Sequence, residues 1–203
     1  MADEHLRSVD RVMRRLIDGD GPIDPSSDRR GSRPDAYEAL ARAIVGQQLS
    51  TKAARSIWER LVDSFGGAFP APAALLASDP ESLREAGLSR AKVGFLRDLA
   101  ERIEDGRLDL RRLSQLADED VVAELIQIKG VGQWTAEMFL IFHLGRPDVV
   151  STGDLGIRRA IQIAYGLDEL PGPGDVERIA APWRPHRTLA CLYLWRSLQN
   201  LPT

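Results

Sequence analysis

Apolar residues recur at spacings of three and four along most of this chain, and that period is the mark of helices burying one face. Leu6, Val9, Val12, Met13, Leu16 and Ile17 predict a first helix. Gly19 to Pro34 is rich in Gly, Pro, Ser, Asp and Arg and reads as a loop. Asp35 then caps a helix with Tyr37, Leu40, Ile44 and Val45 on one face. Gly46-Gln47-Gln48-Leu49-Ser50 interrupts it, and Ser50 or Thr51 starts the next helix. There Ala54, Ile57, Trp58, Leu61, Val62 and Phe65 form the apolar stripe, which Gly66-Gly67 ends.

Pro70 to Leu76 predicts a short segment, and Asp79-Pro80 opens another helix with proline at its first position. Ser89 to Glu104 carries Val93, Leu96, Ala100 and Ile103 inward. Asp118 is placed as the cap of a helix with Val121, Val122 and Leu125 facing the core. A further helix runs from Gln133 to Leu144, and another from Leu155 to Tyr165, ended by Gly166. Pro171-Gly-Pro-Gly174 reads as a breaker, Val176 to Ala181 as a short helix and Pro185 to Asn200 as the last one. No stretch has the period of a strand. Many helices on short connections predict an all-α fold.

Composition narrows the class. The 203 residues suffice for one domain or two small lobes, and 43% hydrophobic with 28% charged content is ordinary for a globular protein. No apolar run reaches membrane-spanning length, and the N-terminus has no signal-peptide core, so the expected location is cytoplasmic. Cys191 is the single cysteine, which excludes an intrachain disulfide and a four-cysteine iron–sulfur site. One Cys and three His without metal spacing argue against zinc. A net charge of −3 argues mildly against bulk nucleic-acid binding. Acidic residues concentrate between Asp98 and Glu124, leaving Lys52, Arg55, Lys129, Arg158, Arg159, Arg184 and Arg187 for a local basic face.

The stretch Leu125 to Ala136 carries the first chemistry. It has a Gly130-Val131-Gly132 turn with apolar residues before it and an apolar helix after it, including Trp134, Met138, Ile141 and Phe142. Glycines one residue apart permit a very tight turn. Backbone N–H groups of the turn and of the helix start have no intrahelical acceptor, and together they suit a phosphate. Neutral amides need fewer cations around them, which fits the modest charge.

The pattern Leu125-x-x-Ile128-x-Gly130-Val131-Gly132-x-x-Thr135-Ala136 resembles the helix-hairpin-helix DNA-binding motif. Asp154 follows it in Ser-Thr-Gly-Asp-Leu-Gly-Ile-Arg-Arg. Together they resemble the helix-hairpin-helix DNA glycosylase superfamily, and within it the 3-methyladenine DNA glycosylase II family in a short form without the N-terminal β-domain. Trp183-Arg184-Pro185 and Leu194-Trp195 fit the same family, and the likeness runs from about Tyr37 to Asn200. The resemblance implies two helical lobes with an active-site cleft between them. Residues 35–144 form the central lobe, ending in the helix-hairpin-helix at about 118–144, and 1–34 with 145–203 form the second.

On residue type alone Asp154 reads as a helix cap; the resemblance adds catalysis, and the two are compatible. Trp134 and Trp195 read as core on burial statistics, whereas the resemblance makes them base-pocket walls beside Met138, which departs from members with an aromatic there. Trp58 and Trp183 are expected to be structural. The resemblance assigns DNA contacts to Lys129, Gly130, Gly132 and Thr135, and to Gln48 and Leu49, either of which can fill the gap left by a flipped nucleotide. It implies no required cofactor, with room for a Na+ or K+ on the carbonyls of Ile126, Ile128 and Val131. Lyase members carry lysine where this chain has Trp134, so a monofunctional enzyme is expected. The implied function is base excision repair: hydrolysis of the N-glycosidic bond of 3-methyladenine- or 7-methylguanine-type bases in double-stranded DNA, by a monomer. The alternatives are a glycosylase for other damaged or mismatched bases, and a non-catalytic DNA-binding module.

Overall fold

The computed structural model describes residues 1–24 and 35–199. Among these there are twelve α-helices and no strand. The chain divides into two compact units: Met1–Ser32 with Leu140–Thr203, and Arg33–Phe139.

The first unit holds α1 (Ala2–Val9), α2 (Arg11–Asp20), α10 (Leu155–Tyr165), α11 (Pro173–Ala180) and α12 (Arg187–Gln199). The single N-terminal helix expected from periodicity is two helices. Asp10 leaves helical geometry at φ −144° and caps α2, its Oδ1 accepting from the amides of Val12 and Met13. Its Oδ2 accepts from Trp183 Nε1–H at 2.8 Å and from the Tyr165 hydroxyl. One carboxylate thus fixes two helices and a buried indole, contacts too distant in sequence to leave a periodic signal. Leu6, Met13, Ile17, Ile157, Ile161, Val176, Trp183, Leu189, Tyr193 and Leu194 fill the core around them. The expected loop after residue 19 begins later, since Gly19 and Asp20 belong to α2. The rest of that loop, residues 25–34, and the end of the last helix at Asn200 lie outside the described residues. The expected breaker at Pro171 to Gly174 is partly helix, because Pro173 sits at the first position of α11, where its missing N–H costs nothing.

The second unit holds α3 (Ala36–Gly46), α4 (Thr51–Ser64), α5 (Pro72–Ala77), α6 (Pro80–Glu85), α7 (Arg90–Glu104), α8 (Asp118–Leu125) and α9 (Gln133–Met138). Asp35, Ser50, Asp79 and Ser89 cap α3, α4, α6 and α7 through their side-chain oxygens. Asp118 does not cap α8. It is the first helical residue after Ala117, and with Glu119 and Asp120 it puts acid in the first turn, where the helix dipole favours it. α7 packs on α3, α5 and α6, and buries Val93, Leu96, Leu99 and Ala100. Trp58 and Trp183 are both buried, as expected.

After Met138 the backbone changes from α to π geometry over Phe139–Leu144. The expected continuous helix to Leu144 is therefore α followed by π, and the boundary between the units falls inside it. No helix is long and apolar enough to cross a membrane among the described residues.

Candidate active site and DNA-contact elements

The hairpin is α8, a turn over residues 126–132, and α9. Gly130 sits at φ +81°, and a Cβ there would lie 2.2 Å from the Phe95 ring. Only glycine meets both conditions. Gly132 is different: its φ of −101° is open to any residue and nothing stands within 4 Å of a Cβ. The tight turn therefore depends on Gly130, and Gly132 leaves the approach to the α9 amides clear.

Two side chains from elsewhere in this unit, Asp98 and Gln47, brace the turn, and Lys92 secures the end of α3 beside Gln47. Asp98 of α7 is 5% exposed and accepts from the Lys129 backbone N–H and the Arg102 guanidinium, both at 2.9 Å, with Lys129 Nζ at 3.4 Å. Burial alone would raise the Asp98 pKa; the Lys129 amide and the Arg102 charge outweigh it and hold the carboxyl below the ordinary aspartate range. Gln47 donates from Nε2 to the Gly130 carbonyl at 2.8 Å. Lys92 donates to the carbonyls of Val45 and Gln47, each at 2.7 Å, closing the C-terminus of α3. None of Gln47, Lys92 or Asp98 was marked by the sequence pattern. The Asp98–Arg102 spacing of one helical turn was the one available hint.

Beyond Gln47 the chain turns sharply. Gln48 has φ +57°, unusual for a residue with a Cβ, and both Gln48 and Leu49 are exposed. Trp134, the second residue of α9, is 48% exposed. An indole this open at a helix start departs from the ordinary core role. Met138 is half-buried one turn later. Thr135, expected among the DNA contacts, is 5% exposed with its side chain packed inward. Only its backbone N–H, in the unpaired first turn, is suited to a phosphate.

In the other unit, Asp154 is the N-cap of α10. Its Oδ1 accepts from the Ile157 amide at 2.7 Å and from Trp195 Nε1–H at 3.0 Å. The amide fixes the carboxylate against the helix, and the indole N–H fixes it from α12. Trp195 has a second contact, a near-parallel stack on Phe142 with centroids 5.8 Å apart. Phe142, in the π segment, remains 46% exposed. Residue type read Trp195 as core and the resemblance made it a pocket wall; its hydrogen bond to Asp154 spans 41 residues and has no local pattern.

The expected basic face is smaller than its residue count. Arg187 binds Asp148 at 2.9 Å and Arg184 does so at 3.2 Å, while Arg55 pairs with Glu59 at 2.8 Å. Lys129 shares Asp98 as described. No cluster of three or more metal-type side chains occurs among the described residues.

The sequence matches the family described as HhH-GPD superfamily base excision DNA repair protein over residues 41–185. It is 35% identical to DNA-3-methyladenine glycosylase 1 of Schizosaccharomyces pombe, over 97% of this chain and 86% of that protein. It is 34% identical to the putative DNA-3-methyladenine glycosylase YfjP of Bacillus subtilis, over 80% of this chain and 59% of that protein. A solved structure of the Schizosaccharomyces pombe 3-methyladenine DNA glycosylase in complex with abasic DNA superposes with a TM-score of 0.84 at 34% identity, covering 98% of this chain and 96% of that one. A DNA-3-methyladenine glycosidase from Bacillus halodurans gives 0.85 at 36% identity, covering 98% and 89%. With the family match spanning the hairpin and Asp154, this chain belongs to the HhH-GPD superfamily of base excision DNA repair proteins.

Proposed function

We propose that this protein is a monofunctional DNA glycosylase that hydrolyses the N-glycosidic bond of alkylated bases, of the 3-methyladenine and 7-methylguanine type, flipped out of duplex DNA. The observation that carries this reading is the fixed Asp154 carboxylate, held by an amide and an indole N–H on one oxygen. Loss of the base leaves oxocarbenium character on the sugar. An anion held in place before that charge develops needs no reorganisation, and such a preorganised group contributes about 2.7–4 kcal/mol to the transition state. The same carboxylate orients the attacking water. A base alkylated on a ring nitrogen already carries positive charge, so it leaves without a strong general acid.

The relatives named for 3-methyladenine support the substrate class. The exposed indole of Trp134 offers a π face for a cationic base, an attraction of about 0.5–2 kcal/mol beyond ordinary stacking. The turn amides, with Gly130 and Gly132, take a DNA phosphate, and Lys129 adds a charge beside them. Gln48 or Leu49 fills the space left by the flipped base. Position 134 has no amine, so no Schiff base forms there and the product is an intact abasic site. Carbonyls of Ile126, Ile128 and Val131 are hard oxygen donors suited to a Na+ or K+, which would supply positive charge to the phosphate. Ile128 O already accepts the Val131 N–H at 3.0 Å and keeps one lone pair for an ion.

The test is a panel of lesion duplexes assayed with and without alkali. Release of 3-methyladenine or 7-methylguanine, with strand cleavage only after alkali, is the expected result. Activity on 8-oxoguanine or mismatched adenine alone, or cleavage without alkali, overturns the assignment.

A further inference from the structure

Asp154 and Trp195 meet over a residue that has no side chain. Gly156 is the second residue of α10. A Cβ built on it would lie 2.9 Å from Asp154 Oδ1, and 3.3 Å from both Cδ1 and Nε1 of the Trp195 indole. The first distance is shorter than real Cβ contacts, and the other two are at the tight end. Neither neighbour can yield freely. Oδ1 is tied to the Ile157 amide at 2.7 Å, and the indole is stacked on Phe142. The backbone at Gly156 is ordinary helix, so glycine is not there for its φ. In a helix it is a poor choice, since alanine is favoured at such positions. Its neighbour Gly153 has nothing within 4 Å of a Cβ. The locally unfavourable residue stands where the carboxylate and the indole need the room.

We propose that Gly156 is a positioning residue: the missing side chain lets the Trp195 indole N–H reach Oδ1 of Asp154 and hold the carboxylate in its reactive place. This rests on the glycosylase reading for its consequence in catalysis, while the geometry itself is testable without it. A carboxylate displaced by a few tenths of an ångström loses the alignment on which preorganised stabilisation depends.

The experiment compares Gly156→Ala, Trp195→Phe and Gly153→Ala with the unaltered protein. Two readouts are taken on each: the indole 15N–1H resonance of Trp195, assigned by its loss in Trp195→Phe, and single-turnover release of 3-methyladenine beside affinity for an abasic-analogue duplex. In Gly156→Ala the Trp195 resonance moves upfield and its N–H exchanges faster. Excision falls about 10- to 100-fold, the range expected when a reacting group is misplaced by up to an ångström. Affinity for the abasic duplex stays within about threefold, which shows the fold intact, and the melting temperature falls modestly, because the clash and the weakened indole contact outweigh the helix preference for alanine. Trp195→Phe gives a similar loss, and the double variant loses no more than either single one, because both remove one contact. Gly153→Ala leaves both readouts as they were. A Trp195 resonance unmoved in Gly156→Ala overturns the proposal, as does full excision with a moved resonance. If the unaltered protein releases no methylated base, the glycosylase reading fails, and the resonance alone still decides whether Gly156 makes room for this bond.

Discussion

At the scale of single residues, the site is set by where a few polar atoms are pinned. Asp154→Asn keeps an oxygen to accept from Ile157 and Trp195, so the helix cap and the fold survive. What disappears is the negative charge. Excision is expected to fall about 10²–10³-fold, the cost of losing one preorganised stabilising group, while abasic-analogue binding persists. Single-turnover assays with a parallel binding titration measure both, and normal turnover would remove Asp154 from the chemistry. The two hairpin glycines should separate equally clearly. Gly130→Ala meets both the positive φ and the Phe95 ring, and loses stability by about 1–3 kcal/mol or more on chemical denaturation. Gly132→Asp has room and leaves stability nearly unchanged. It puts an anion among the turn amides proposed to take a phosphate, so DNA binding is expected to be lost; unchanged affinity would count against the hairpin as the DNA clamp.

At the scale of elements, the α3–α4 connection and the hairpin turn form one braced piece. Gln47 joins them by a single hydrogen bond to Gly130 O, and Lys92 ties the end of α3 to α7 by two. This holds Gln48 at its positive φ and leaves Leu49 outward. Gln47→Ala removes one intramolecular hydrogen bond, about 0.5–1.5 kcal/mol. Hydrogen exchange at residues 46–49 and 130–132 is expected to quicken, with the helices of the other unit unaffected. Exchange that stays slow throughout would show that the brace is not needed. The π segment after α9 is another element-scale feature. An added residue per turn re-aims the side chains beyond Met138, and π segments recur at functional sites. It leaves Phe142 half-exposed against Trp195.

For the whole molecule, each unit carries a carboxylate held against cations. Asp98 sits between Lys129 and Arg102, and Asp148 under Arg187 and Arg184. In both, burial alone would raise the pKa, and the hydrogen bonds and positive charges lower it past the ordinary value near 3.8. A lowered folded-state pKa means that the unfolded chain takes up the proton first. The stabilisation is therefore complete above the unfolded value and is lost as pH falls through the lower folded one. Urea unfolding should show stability holding at neutral pH and falling below about pH 4. Asp98→Asn lowers the neutral plateau and flattens that acid slope. A slope identical to that of the unaltered protein would show that Asp98 does not carry it.

Periodicity, caps and turn glycines were enough to determine the all-α class, the cap at Asp35, helix starts at Ser50 or Thr51, at Asp79-Pro80 and at Ser89, and the placing of Asp154 at the head of a helix. These are local properties, written within one or two helical turns. The hairpin motif and the residues around Asp154 likewise carried the family, since both are contiguous. Tertiary structure alone decided what crosses long stretches of chain. Asp10 splits the first helix to bind Tyr165 and Trp183, Gln47 and Asp98 grip the hairpin turn, and Trp195 reaches back to Asp154. Thr135 and Trp134 make the same point at one turn of helix: adjacent in sequence, one is packed away and the other open, and only the neighbours brought in by folding settle which. A hydrogen bond between residues far apart has no period, so no spacing could have announced it.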